Sequence, residues 1–171
     1  AGSFPENWRC EIGGGAKAEV RVDNQERHSG SCSIRISNQS PYQAFVFASL
    51  LSDHFPVKPS TTYNLRFWAK GRGAKNCYAC ASYQGAGETR KVLPAGDFEW
   101  RQVLFQFTTP QQCQAMCIRF ASDDVTEALW LDDLELEVSP QQFANLRERR
   151  YPKDFPGVFP RSKGPLPEHL T

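Results

Sequence analysis

Two adjacent carboxylates, Asp132 and Asp133, are of a type that invites chemistry. A pair of carboxyl groups can divide acid and base roles across one bond. They stand in a segment that reads as a strand, where consecutive side chains leave opposite faces, so the pair is expected to be split. Cys77, Cys80, Cys113 and Cys117 form C-x2-C and C-x3-C spacings of the kind used by zinc knuckles. On a strand Cys77 and Cys80 also project to opposite faces, which disfavours a shared metal. Buried thiols fit better, or a cross-strand bridge such as Cys80 to Cys117, with Cys10 and Cys32 as a second candidate pair. A nucleophile elbow, a P-loop and an H-E-x-x-H pair do not occur. His28, His54 and His169 lie in turn or tail contexts, and His28 belongs to a His-Ser-Gly turn where a structural role is expected. None of these groups assembles a catalytic centre.

The elements that must position such residues are strands. Period-two segments recur at 18–22, 33–37, 43–49, 62–70, 77–84, 90–93, 101–108, 115–121 and 129–138, separated by Gly, Pro, Asn, Asp and Ser. Tyr63, Leu65, Phe67 and Ala69 share one face, as do Val103, Phe105 and Phe107, and Met116, Ile118 and Phe120. Evenly spaced half-buried strands indicate an all-β sandwich of two antiparallel sheets. A helical pattern of useful length occurs only at 140–150, with Ser139 as N-cap, Pro140 in the first turn and Pro152 as the stop. Six of the twelve prolines lie from 140 onward. The chain therefore divides into a β-sandwich over 1–139 and a short helix with a basic, Pro-rich linker or strap over 140–171.

At 171 residues the chain has one domain's length, enough for a core without metals or crosslinks. A net charge of +1 gives no electrostatic footprint for nucleic acid. No apolar run approaches the roughly 20 residues of a membrane-spanning helix. Residues 1–5 do not read as a signal peptide, and any such segment is expected to have been removed. Six cysteines suit an oxidising, extracellular setting.

The segments His28-Ser29-Gly30-Ser31-Cys32-Ser33-Ile34-Arg35-Ile36 and Val57-Lys58-Pro59-Ser60-Thr61-Thr62-Tyr63-Asn64-Leu65-Arg66-Phe67-Trp68-Ala69-Lys70-Gly71 resemble carbohydrate-binding modules of families four, nine and twenty-two. So do Trp100 through Phe107-Thr108-Thr109-Pro110 and Trp130-Leu131-Asp132-Asp133-Leu134-Glu135-Leu136. The order holds over 3–138. The resemblance implies a galactose-binding-like jelly roll, sugar bound on a concave sheet or at loop tips, often a structural calcium, and no catalysis. Where the family places a carboxylate near its start, this chain has Pro5, after Ser3 and Phe4.

Sugar recognition needs flat aromatic faces against pyranose C–H groups and planar polar groups against the hydroxyls. In a jelly roll the concave strands would be 43–49, 77–84, 90–93 and 115–121. Tyr42 stands where the family-twenty-two resemblance has a stacking aromatic, with Gln43 beside it; Tyr78, Tyr83 and Arg119 complete the candidates. Tyr78 and Tyr83 have opposite parity, so a regular strand brings only one to the cleft. Trp68 points away from the core on the opposite sheet, while Trp100 and Trp130 are expected to pack structurally. Calcium takes hard oxygen ligands. Asp132 with carbonyls of the 28–31 turn, including Ser31, and Asp23 as a second carboxylate are the candidate site.

The reading is a secreted, non-catalytic module binding a β-glucan- or xylan-like polysaccharide or oligosaccharide, and able to accompany a catalytic domain in the same polypeptide. A jelly-roll protein-interaction or structural subunit docking through its C-terminal tail is the alternative. A hydrolase fragment with its catalytic domain beyond Thr171 is a third.

Overall fold

The computed structural model describes residues 3–140. Eleven strands form: β1 Trp8–Gly13, β2 Ala18–Asp23, β3 Ser33–Asn38, β4 Phe47–Ser52, β5 Phe55–Pro56, β6 Thr62–Ala74, β7 Cys77–Tyr83, β8 Gly87–Val92, β9 Gly96–Thr108, β10 Ala115–Ser122 and β11 Thr126–Val138. All pairings are antiparallel. A front sheet runs β1-β4-β10-β7-β8, with β5 also on β10, and a back sheet runs β2-β3-β11-β6-β9. This is the expected jelly-roll sandwich. The helix expected at 140–150 and the Pro-rich segment lie outside the described residues, apart from Pro140 itself.

The core sits between the sheets and follows the period-two faces. Tyr63, Leu65, Phe67 and Ala69 from β6 and Phe105 and Phe107 from β9 are buried against Leu50, Ala79, Ala81, Met116, Ile118 and Phe120 of the front sheet. Phe67 meets Phe120 edge-on across the sheets, centroids 5.0 Å apart, a favoured aromatic geometry. β1 has no strand signal of its own, yet Trp8 anchors it to this core, 6.4 Å from Phe120.

Two departures from regular pairing matter for function. The strand expected from 43 begins at Phe47, because Val46 N–H donates to the Gln43 carbonyl and Phe45 adopts a left-handed φ of 66°. In β11, the register steps from Asp132 opposite Trp68 to Glu135 opposite Arg66, one residue more than on β6, with Asp133 at φ 50°. That bulge reverses the parity of the strand. Leu129 and Leu131 face the core before it, Leu134 and Leu136 after it. The expectation that Asp132 and Asp133 leave opposite faces is thereby corrected, since the bulge turns both toward the 28–29 turn.

Candidate functional site

The four segments expected to share one sheet do so: β4, β7, β8 and β10 are neighbours, joined by β1. On the face of this sheet turned away from the core, register fixes which side chains line up. Arg9, Leu51, Arg119, Cys80 and Arg90 form one cross-strand row. The arginine stems are therefore two strand spacings apart, roughly 10 Å. Glu11, Ser49, Ala121, Tyr78 and Val92 form the next row. Beyond it, Phe47 pairs with Gly13, and the phenyl ring lies over that glycine: a Cβ there would stand 2.3 Å from Phe47 Cε1. Glycine at 13 is what lets this aromatic lie along the sheet.

Arg119 is the centre of the face. Its guanidinium sits 5.6 Å from the Phe47 ring centroid, and one terminal nitrogen is 3.6 Å from a Glu11 carboxylate oxygen. Its Nε is buried and has no hydrogen-bond partner. Buried donors are nearly always paired, which sets this one apart among the side chains of the face. Tyr78 is 8% exposed and forms a small apolar cluster with Cys80 and Ala121. The Arg90 guanidinium lies 4.3 Å from the Tyr78 ring centroid and is pinned by Glu88 at 2.5 Å. Glu88 also accepts from the Cys80 thiol at 3.3 Å.

Protonation follows from these surroundings. Burial, reinforced by the charge of Asp123, pushes the Tyr78 hydroxyl up to about 12, and that hydroxyl donates to Asp123. Burial, with Glu88 beside it, likewise pushes the Cys80 thiol up to about 12. It stays protonated at neutral pH and is no nucleophile. Burial raises the Asp123 carboxyl. For Glu88 burial acts upward too, but the Arg90 and Cys80 hydrogen bonds and the positive charge of Arg90 and Arg119 outweigh it and hold the carboxyl low. Each arginine of the row has a carboxylate near it, Asp53 for Arg9, Glu11 for Arg119 and Glu88 for Arg90. Such a face is polar and close to neutral overall.

The loop before β4 borders this face at its Phe47 end. Tyr42 is 66% exposed and Phe45 86%; Gln43 is exposed between them, with its carbonyl closing the turn. Buried Asp124 of the β10–β11 turn holds the loop by accepting from Tyr42 N–H at 3.2 Å. Val125 N–H, first, and the Lys75 ammonium keep that carboxyl below its usual range.

Of the residues expected to bind ligand, Arg119 and Tyr78 share the front face, and Tyr42 and Gln43 lie in the adjoining loop. Tyr83 does not belong with them. It is buried on the core side and shares a hydrogen bond with Thr89 at 2.8 Å. Phe47, Phe45, Arg90, Glu88 and Glu11 were not singled out from the sequence. Phe47, Arg90, Glu88 and Glu11 reach this face through cross-strand register and Phe45 through its left-handed turn, neither of which a local pattern encodes. All six cysteines are free thiols; Cys80 and Cys117 are diagonal neighbours on the front face.

The residues proposed for calcium do not fit an ion. Asp132 accepts the His28 and Ser29 N–H groups at 2.8 and 3.0 Å, so the turn presents donors to it, not carbonyls. Asp133 accepts from Ser29 Oγ and contacts His28 Nδ1. Asp23 accepts from Trp130 Nε1 and from Gln25 N–H, and Ser31 is exposed with its hydroxyl toward Cys32. Among the described residues no group of three His, Cys, Asp or Glu could hold a metal. On the back sheet, His28 stacks on Trp68 at 3.8 Å while Trp100 Nε1 bonds Glu26. Trp68, Trp100 and Trp130 thus brace the turn beside Asp132.

Residues 2–126 match the family model of a carbohydrate binding domain. The chain belongs to that family, whose members are non-catalytic sugar-binding modules. Among solved structures, it resembles the enzymatically active domain of tailspike protein 4 of bacteriophage CBA120, with TM-score 0.61 and 16% identity over 78% of this chain. A CBM4 module gives TM-score 0.59 and 14% identity, covering 77% of this chain and 86% of the other. The CBM22-1–GH10 modules of endo-1,4-β-D-xylanase 10B of Clostridium thermocellum, complexed with xylohexaose, give 0.54 and 15% over 76% of this chain. The chain spans 19% of the tailspike and 26% of the xylanase chain. No curated protein matches by sequence.

Proposed function

We propose that the protein takes a β-glucan- or xylan-like polysaccharide on the outer face of its front sheet, by aromatic stacking and polar contacts, without acting on it. The observation that carries this reading is Arg119, whose guanidinium lies beside Phe47 with a buried Nε that no protein group satisfies. A planar guanidinium offers the forked donors that vicinal hydroxyls accept, while an aromatic face covers the C–H side of the ring. The pairing of Arg9, Arg90 and Arg119 with carboxylates suits an uncharged sugar rather than an acidic one. Family membership and the xylohexaose complex of the xylanase neighbour point the same way. An extracellular place and a catalytic partner in the same polypeptide accompany this reading. Calorimetry and affinity gels with soluble xylan, xylohexaose and mixed-linkage β-glucan test it. Binding that weakens in Arg119→Met is the expected result, and no binding by the intact protein across the panel would overturn the proposal.

A further inference from the structure

We infer that Phe45 is a stacking residue of the sugar site, and that the reachable aromatic surface of that site lies at its loop end. The inference rests on the polysaccharide reading above and states where the chain of sugar rings is gripped.

The floor of the front face offers little open aromatic surface. Tyr78 is 8% exposed, and Arg90 already occupies a face of its ring at 4.3 Å. Phe47 lies against the backbone at Gly13 on one side and has the Arg119 guanidinium near it. The loop is different. Phe45 is 86% exposed and Tyr42 66%, so neither ring is spent on the core. Two further exposed apolar side chains, Val92 and Val125, stand at the ends of strands or in turns near this loop. Val92 follows Tyr78 in its cross-strand row, and Val125 sits in the turn whose Asp124 holds the loop. The loop runs directly into Phe47, whose ring neighbours the Arg119 guanidinium, so it adjoins the floor of the site.

The loop is also built to hold Phe45 where it is. A left-handed φ is unfavourable for a bulky L-residue and persists only where surrounding structure enforces it, commonly at functional positions. Here Val46 N–H closes the turn onto the Gln43 carbonyl, Tyr42 N–H is tied to Asp124, and Ser40 Oγ accepts Lys17 N–H. Gly14, itself at φ 59°, lets the β1–β2 turn approach the Phe45 carbonyl; a Cβ at Gly14 would stand 2.6 Å from that oxygen. A phenyl ring displayed to solvent at conformational cost, on a clamped loop beside a second exposed aromatic, has the properties of a preorganised stacking platform.

The test uses the full chain with Phe45→Gly, Phe45→Ala and Tyr42→Ala, titrated with xylohexaose and soluble mixed-linkage β-glucan by calorimetry. Phe45→Gly removes the ring and suits the left-handed backbone, so its thermal midpoint is expected to be unchanged or raised. Its affinity is expected to fall about tenfold, with Phe45→Ala and Tyr42→Ala falling similarly. Wild-type binding with Phe45→Gly affinity unchanged would overturn this inference and leave the polysaccharide reading standing. Loss of self-association in Phe45→Gly at unchanged sugar affinity would assign the loop to a second copy of the chain and also overturn it. Absence of binding by the wild-type protein would defeat the polysaccharide reading and this inference together.

Discussion

Replacing Arg119 by Met separates what this residue does for folding from what it does for ligand. Its buried, unpaired Nε costs the folded protein about 1–3 kcal/mol, the usual penalty for an unsatisfied donor. Against this stand the partly exposed Glu11 pair at 3.6 Å, worth about 0–1 kcal/mol, and the contact with Phe47, worth about 0.5–1 kcal/mol. Met keeps a long flexible stem over Leu51 and Cys80, so packing is largely retained. The terms nearly cancel, and denaturant unfolding is expected to show a midpoint within error of wild type or slightly above it. Ligand binding should behave otherwise. Hydrogen bonds to a charged group contribute about 1.5–3 kcal/mol, which is roughly a ten- to hundredfold loss of affinity for xylohexaose when they are removed. Refutation would be the reverse pattern: a marked loss of stability, on the scale of a broken buried pair, with affinity intact. Arg119 would then be a structural residue whose Nε is satisfied in solution.

Three further outcomes follow from the same geometry. Asp132→Ala strands the His28 and Ser29 N–H groups, and chemical denaturation should register a loss of roughly 2–4 kcal/mol, while a chelator leaves the wild-type midpoint unmoved. Tyr83→Phe removes only the Thr89 hydrogen bond, so stability should drop by about 0.5–1.5 kcal/mol with no change in sugar affinity by calorimetry. Asp124 is held low by Val125 N–H and Lys75; Asp23 is held low because Trp130, Gln25 and Glu26 donors and Arg21 outweigh its burial. A carboxyl depressed in the folded state stabilises it above the unfolded value near 3.8, and that stability is lost as pH falls through the folded value. Thermal midpoints should therefore decline below about pH 4, and Asp124→Asn should flatten that decline; an unflattened acid limb would remove Asp124 from the account.

Much of the sandwich was legible because burial on one face forces period two. Tyr63, Leu65 and Phe67, and Met116, Ile118 and Phe120, fall on the core side as their alternation requires. The same parity correctly separated Tyr78 from Tyr83. It failed where an extra residue enters a strand: nothing in Leu131-Asp132-Asp133-Leu134 announces a bulge, so both carboxylates reached one turn unexpectedly. β1 escaped notice because only Trp8 of its residues is buried, the rest facing an exposed edge. The site was half readable. Arg119 and Tyr78 follow from strand alternation, but Phe47 and Arg90 become parts of it only through cross-strand register, which no local pattern encodes. Phe45 was hidden for a different reason: a left-handed Phe contradicts local preference and depends on Gly14 from another turn.

The most direct measurement is a titration of the isotopically labelled protein with xylohexaose, following backbone amide and arginine side-chain resonances by NMR. Saturable shifts are expected at Arg119 Nε, Phe47, Tyr78 and the 42–45 loop, with Trp68, Trp100 and Trp130 on the back sheet unmoved. Shifts confined to the back-sheet tryptophans, or none with any glycan of the panel, would contradict the assignment of the front face as the binding surface.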